Sequence, residues 1–461
     1  MISMSHLISI NPYTQEKNWE ITLHSDEQVL EIIEQAQVAF IERKETSFEQ
    51  RKELFLKLAD DLDARNEELA KLETIEMWRL LSVAKKWLRG TADLIRWFAN
   101  NAERILANEP FDHDGLVGEY QYDPLWVIYG IAPWNFPFNQ LLGAAVPNIL
   151  AWNTVVYKHA SNVPLCHQAI QELFDRAGFP KGVYTALFIK SSQSELVMSH
   201  KVIKGMNITW WERAWSVMGA MAGKYMKPSI LELWWNDAFV LLDHEDTQAM
   251  AVAATACRLS NWGQRCNASK RFIILEKHYD TFVEALAKQM DSQILGDPLE
   301  STTTLPPMSS SLLVDEIHDQ VQRTIAQGAK LVTGGHRVEL WKGNFYAATV
   351  LADVTPEMTS AKEEVFGPVA SVIKSSSIEE SIQIANNNDF GLSAVVFGDD
   401  IVQCKEIAHQ LEWWMIFVNT PAWSKASLPF GGVKKSGYGK ENGPEGLYAF
   451  TNKKAVIYEV K

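Results

Sequence analysis

The sequence predicts an α/β protein: a doubly wound parallel sheet followed by a second α/β domain. Three observations predict it. Short apolar runs alternate with longer segments whose apolar residues recur roughly every three to four positions, the pattern of parallel strands joined by crossover helices. The alternation restarts after about residue 235. The chain has 461 residues, more than the ~250–300 at which one core stops growing.

Residues 26–106 read as helices, because VLEIIEQAQVAFIE and LFLKLADDLDARNEELAKL carry apolar residues on one face and charge on the other. LWVIYGI reads as a strand ending near Ala132, with a helix from about Phe136 to Ala151. TVVYKHA is a strand, and CHQAIQELFDRAGFP is a helix closed by Gly178 and Pro180. YTALFI, GMNIT and SILEL follow as strands, with SQSELVMSH and ERAWSVMGAMAGKYM as the helices between them. Beyond residue 235, FVLL, RFIILE, PVASVIKS, SAVVFG and MIFVN read as strands. The helices among them are AMAVAATACRLS, HYDTFVEALAKQM, SIEESIQIANNN and IVQCKEIAHQL. Pro124 to Tyr157 carries no charge, but four prolines and scattered Asn and Gln make it strand, loop, buried helix and strand rather than a membrane span.

A net charge of −14 repels phosphate backbones and argues against a nucleic-acid partner. Four cysteines in so long a chain form no disulfide framework, and none has zinc spacing, so no metal is expected. The N-terminus has neither a basic n-region nor a long apolar h-region, so no signal peptide is expected and the cytoplasm is the expected compartment.

Cys266 lies in NWGQRCNASKR, a polar loop between helix and strand, with Arg265 beside it. A lone cysteine is most often a buried structural residue, but this setting favours a thiolate. In IAPWNFPFN a strand ends in a Pro-bracketed loop whose Asn135 is placed either to cap the following helix or to donate to an oxyanion. Glu232, at the end of the strand in SILELWWND, is either a solvated edge residue or a carboxyl with raised pKa suited to general-base work. EEVFGP and LPFGGVKKSGYG are loops able to border a ligand.

Together, PWNFP, K-x-x-S, LEL with Cys 34 residues after its Glu, E-x-F-G-P, FVN and LPFGG resemble the NAD(P)-dependent aldehyde dehydrogenase superfamily over essentially the whole chain. KHASNVP and LPFGGVKKSGYGKE look closest to the short succinate-semialdehyde dehydrogenases. The resemblance implies a Rossmann-type cofactor domain (1–106 and 126–234), an α/β catalytic domain (235–432) and a small β oligomerisation element (107–125 and 443–461). It also implies a homodimer or homotetramer acting on a small aldehyde. Cys266 would attack the aldehyde, Asn135 and the Cys266 N–H would hold the oxyanion, and hydride transfer to the nicotinamide would leave a thioester. Glu232 would then activate water. Trp134, Lys158, Ser161, Glu364 and Phe366 would border the cofactor, with Lys158 at the adenosine ribose and Glu364 at the nicotinamide ribose. Ser161 replaces an acidic residue that goes with NAD in this family, which leaves room for a 2′-phosphate; the cofactor is NADP or NAD.

The departures are systematic. Trp210, Trp211 and Trp215 stand where the family has Gly-Ser and Gly under the pyrophosphate, and Leu-Glu-Leu-Gly-Gly reads Leu231–Trp235 here as LELWW. Trp126, Trp152 and Trp414 also replace usual glycines, while Trp262 and Trp413 replace usually smaller residues. Glycine at such places allows positive φ or close approach of a phosphate; tryptophan favours neither. Trp210 and Trp211 would thus project into the cofactor cleft, and the alternative expectation is a catalytically silent homologue whose cleft is blocked by indoles. Many succinate-semialdehyde dehydrogenases have Arg where Gly143 stands; Arg265 is a possible substitute.

Overall fold

The computed structural model describes residues 6–43, 46–209, 214–339 and 342–458. Trp210 and Trp211 lie outside these residues, and so does the first part of the helix expected after them, which is seen from Ala214 to Lys224.

The first helical stretch resolves into Asp26–Arg43, Phe48–Ala64, Asn66–Met77 and Leu81–Ile105. Ser47 and Gln50 form a reciprocal capping box that fixes the start of Phe48–Ala64. Asn66–Met77 is stopped by Trp78, whose φ of 68° is the left-handed cap that glycine usually supplies.

Two sheets organise the rest. The first has six strands in the order Gly437–Tyr438, Ser229–Glu232, Ile203–Thr209, Val127–Ala132, Thr154–His159, Tyr184–Leu187. All are parallel except Gly437–Tyr438. From Val127–Ala132 the chain winds outward to one side, then returns to Ile203–Thr209 on the other. That reversal opens a crevice at the carboxyl ends, beside Ala132 and Thr209. The segment from Pro124 to Tyr157 is strand, loop, the helix Pro137–Leu150 and strand, as expected. Among the described residues no helix is long and apolar enough to cross a membrane.

The second sheet has seven strands in the order Lys330–Thr333, Thr349–Ala352, Val369–Ser375, Arg271–Leu275, Ala238–Leu241, Ser393–Phe397, Met415–Val418. Its core strands bury both faces, which explains their near-continuous Val, Ile and Phe. The edge strand Lys330–Thr333 and the hairpin His6–Ile10 with Lys17–Thr22 were not expected; they are short, half-exposed and lack a strong apolar signal.

A third sheet joins Glu109–His113, Leu116–Pro124 and Thr451–Tyr458, all antiparallel. The sheet expected from about residue 443 starts later. Gly443–Tyr448 is a short helix packed against Pro137–Leu150, with Pro444 in its first turn, and the strand begins at Thr451.

Candidate active site

Three chain segments converge where the carboxyl ends of the first sheet face the second. Cys266 comes from the loop after the helix Thr247–Leu259 and a 3-10 turn at Ser260–Gly263. The loop is held from below by Lys270, whose ammonium donates to the Cys266 carbonyl and lies 3.5 Å from Glu364. Cys266 is 4% exposed and packs with Trp235, Leu392 and Phe430. Burial first, then the neighbouring Glu232, pushes its thiol well above the usual range, against the opposing pull of Arg265 and Lys270.

Glu232 ends the strand Ser229–Glu232 and is 1% exposed. Its Oε2 accepts from the Thr209 hydroxyl at 3.5 Å, and Oε1 has no hydrogen-bond partner. Burial and the adjacent Glu441 raise its pKa well above the carboxylate range, while the Cys266 thiol and Thr209 oppose the shift. A neutral carboxyl beside a neutral thiol is the resting state these surroundings favour.

Asn135 sits in the turn between Val127–Ala132 and Pro137–Leu150, its carbonyl held by Arg79 and Asn261. One side-chain N–H donates to the Gln264 carbonyl at 3.1 Å. An amide has two N–H donors, so a second is left for a ligand. Asn135, Cys266, Thr209, Trp134, Trp235 and Phe366 line one small void; Cys266 also lines a second cavity, open to solvent, with Trp87, Gln140, Gly143, Arg265 and Asn267.

Glu441 also belongs to the site, although its role was not read from the sequence. It accepts from Asn207 at 2.9 Å, lines the larger cavity, and burial pushes its pKa up to about 7. The signal lay in SGYGKE: a carboxylate closing a Gly-rich loop that returns to the first sheet through Gly437–Tyr438.

The residues expected around a dinucleotide divide into two groups. Lys158 ends the strand Thr154–His159, 4% exposed, with its pKa lowered to about 8 by burial. Its ammonium donates to the His159 carbonyl, and Ser161 just beyond is exposed. Trp134 and Phe366 meet edge to face, 5.8 Å between centroids, as an apolar wall beside Cys266. Glu364 is buried, with one carboxyl oxygen 3.5 Å from the Lys270 ammonium. The Trp235 indole is 3% exposed and fills the space beside Cys266. What remains between Trp134, Thr209, Trp235 and Phe366 has room for about one water. Trp234, one residue earlier, lies parallel to Phe390 at 6.2 Å.

Among the described residues, four tryptophans adopt positive φ: Trp78 (68°), Trp126 (126°), Trp152 (66°) and Trp262 (54°). Trp126 and Trp152, at usual glycine positions, thus keep a glycine-like backbone. The side chains are accommodated outside it: Trp152 donates to the Thr46 carbonyl and lies under Arg51, and Trp262 donates to the Thr304 carbonyl.

Residues 3–456 match the model of the aldehyde dehydrogenase family. The chain is 38% identical to the succinate semialdehyde dehydrogenase [NAD(P)+] Sad of Escherichia coli K12, over 98% of both chains. It is 36% identical to a succinate-semialdehyde dehydrogenase [NADP(+)] of Deinococcus radiodurans, over 97% of this chain and 94% of the other. A crystal structure of succinic semialdehyde dehydrogenase from Streptococcus pyogenes with NADP+ superposes with a TM-score of 0.95 at 34% identity, covering 98% of this chain and 99% of that one. Fold and length agree with these relatives: the chain is an enzyme of the aldehyde dehydrogenase family.

Proposed function

We propose that the protein oxidises a small aldehyde, succinate semialdehyde being the leading choice, to its carboxylic acid through a thioester on Cys266, with NADP or NAD as acceptor. The observation that carries this reading is the burial of the Cys266 thiol beside the Glu232 carboxyl, with a free Asn135 N–H on the same void. The likeness to NADP-dependent succinate-semialdehyde dehydrogenases, one of them solved with NADP+, supports substrate and cofactor.

Glu232, once deprotonated, takes the Cys266 proton, and the thiolate adds to the aldehyde carbon. The second Asn135 N–H and the Cys266 backbone N–H stabilise the oxyanion. A bound nicotinamide supplies the two-electron acceptor that turns this adduct into a thioester. Glu232 passes that proton to solvent, then takes a proton from the water that attacks the thioester; the acid leaves and the Cys266 thiolate takes the proton back from Glu232. Lys158 and Ser161 would hold the adenosine ribose. Ser161 brings no carboxylate to repel a 2′-phosphate, which favours NADP.

The decisive experiment is a single turnover of the native chain with aldehyde and NADP, quenched in acid and followed by intact mass. An acyl adduct on Cys266 is expected; its absence, with no NADPH absorbance in the native chain, rejects the reading.

A second reading has an observation of its own. Trp235 stands where a nicotinamide would meet Cys266, as a catalytically silent homologue requires. Calorimetric titration with NADP and NAD separates the two: no heat at millimolar cofactor supports the silent homologue.

We also propose a homodimer or homotetramer. The sheet carrying Thr451–Tyr458 presents Leu116, Ile457 and Tyr458 to solvent, and such exposed strands call for cover by a second copy. Sedimentation equilibrium of the native chain tests this, a monomer at micromolar concentration being the contrary result.

A further inference from the structure

Two buried cations hold the loop that carries Cys266, and they hold different parts of it. Arg258 takes the ends: its guanidinium donates to the Gly263 carbonyl at 3.1 Å and to the Ser269 carbonyl at 2.8 Å. Lys270, 1% exposed, takes the middle. Its ammonium donates to the Cys266 carbonyl and, at 3.4 Å, to the Arg265 carbonyl, and it lies 3.5 Å from a carboxyl oxygen of Glu364. An ammonium has three N–H donors, so these three oxygens occupy all of them. Burial favours the neutral amine; the facing acids Glu364 and Asp237 oppose that, and Arg258 adds to it.

The Arg265 carbonyl is the telling partner. It belongs to the same peptide as the Cys266 N–H, one of the two oxyanion donors of the proposed mechanism. No peptide bond is cis among the described residues, so the C=O and N–H of this one point in opposite directions. A carbonyl turned toward Lys270 therefore turns the N–H away from it. Among the described residues that N–H donates to no acceptor, and Cys266 shares a void with Asn135. A hydrogen bond from a cation to the carbonyl also polarises the amide, which strengthens its N–H as a donor. The lysine itself is fixed to the seven-stranded sheet. Its N–H donates to the Asp237 carbonyl at 2.9 Å, and its carbonyl accepts from the Ser371 N–H at 3.1 Å.

We infer that Lys270 is a positioning residue for the reaction: through the Arg265 carbonyl it aims and strengthens the Cys266 N–H that receives the oxyanion. This rests on the proposed aldehyde oxidation and adds to it a residue that acts through the backbone of the nucleophile. Because Arg258 holds both ends of the loop, the loop keeps its path when the ammonium is removed.

Lys270→Met keeps the length of the side chain and removes the ammonium. With succinate semialdehyde and NADP its kcat should fall about 10- to 100-fold while KM changes by less than about threefold, because the oxyanion forms only on the way to the thioester. Lys270→Arg, which keeps charge and donors, should recover part of the loss. Should Lys270→Met fail to fold, Lys270→Gln is read in its place. A second measurement needs no turnover. Of the four cysteines only Cys266 follows an arginine, so carbonyl-labelled arginine with nitrogen-labelled cysteine isolates the peptide between Arg265 and Cys266 by NMR. Loss of the ammonium's hydrogen bond should move that carbonyl-carbon signal upfield. Unchanged kcat in the folded neutral variant, an arginine variant no faster than it, or a carbonyl signal that stays in place would overturn the inference. If the native chain oxidises no aldehyde, the proposed oxidation fails. The carbonyl signal then still decides: an upfield move upholds the hold of Lys270 on this peptide, and no move rejects it.

Discussion

Glu232 and Glu441 meet at one hydroxyl, that of Thr209, and each is buried. The negative charge of Glu441 raises the pKa of Glu232, after burial itself. Glu232 must be deprotonated to take a proton from Cys266 or water, so the rate should rise with pH through its titration. Glu441→Gln keeps an acceptor for Asn207 but removes the charge. The Glu232 pKa then falls, and the acid limb of the kcat profile moves to lower pH. A pH series of kcat on the variant checks this; a limb that stays in place means that Glu441 does not influence the base.

The same pair makes a statement about stability. Glu441 titrates near 7 when folded against about 4.3 in an unfolded chain. A carboxyl with a raised folded pKa favours folding while protonated. That contribution is full below the unfolded pKa and is lost as pH rises through about 7. Native protein should therefore lose stability between about pH 4.3 and 7 from this group, while Glu441→Gln should not. At pH 8 the variant should be more stable by on the order of 2 kcal/mol. Denaturant midpoints of the two proteins at pH 5 and pH 8 measure the difference.

Much of this arrangement was legible beforehand, and for physical reasons. Strands buried on both faces, such as Val127–Ala132 and Arg271–Leu275, announce themselves as unbroken apolar runs. Cys266 could be singled out by the polar loop that carries it, and Asn135 and Glu232 by their places at the ends of apolar strands. Glu441 was missed because its partners, Asn207 and Thr209, lie over 200 residues away, and local sequence does not encode that contact. Nothing in EEVFGP reveals that the Glu364 carboxyl lies beside the Lys270 ammonium, 94 residues earlier in the chain.

The tryptophans at glycine positions divide into backbone and side-chain effects, and Trp126 separates the two. Its φ of 126° is a conformation that side-chain-bearing residues rarely adopt, and its ring is 38% exposed. Trp126→Ala and Trp126→Gly lose the same contacts with Phe40 and Lys204, but only Gly also relieves the backbone. The Gly variant should be more stable than the Ala variant by about 1–2 kcal/mol. Equal chemical-denaturation midpoints would show that the strain is absent.

Trp235 differs because its problem is space, not backbone; its φ is not among the positive ones. The indole packs against Cys266, Leu392 and Phe430, and its buried N–H has no partner. A buried donor without a partner weakens its own packing by about 1–3 kcal/mol, so the indole is held less firmly than its burial implies. Removing it has two opposed effects: it opens the seat between Trp134 and Phe366, and it leaves a cavity beside the thiol. The first acts on ligand affinity and the second on stability. Trp235→Gly should therefore bind NADP at least about tenfold more tightly, since the native chain must first displace the ring. It should also unfold more readily by about 3–5 kcal/mol, the cost of deleting a buried aromatic. Calorimetric titration with NADP and a denaturant curve read the two separately. Unchanged NADP affinity in a folded Trp235→Gly protein would mean that the indole does not lie in the path of the nicotinamide.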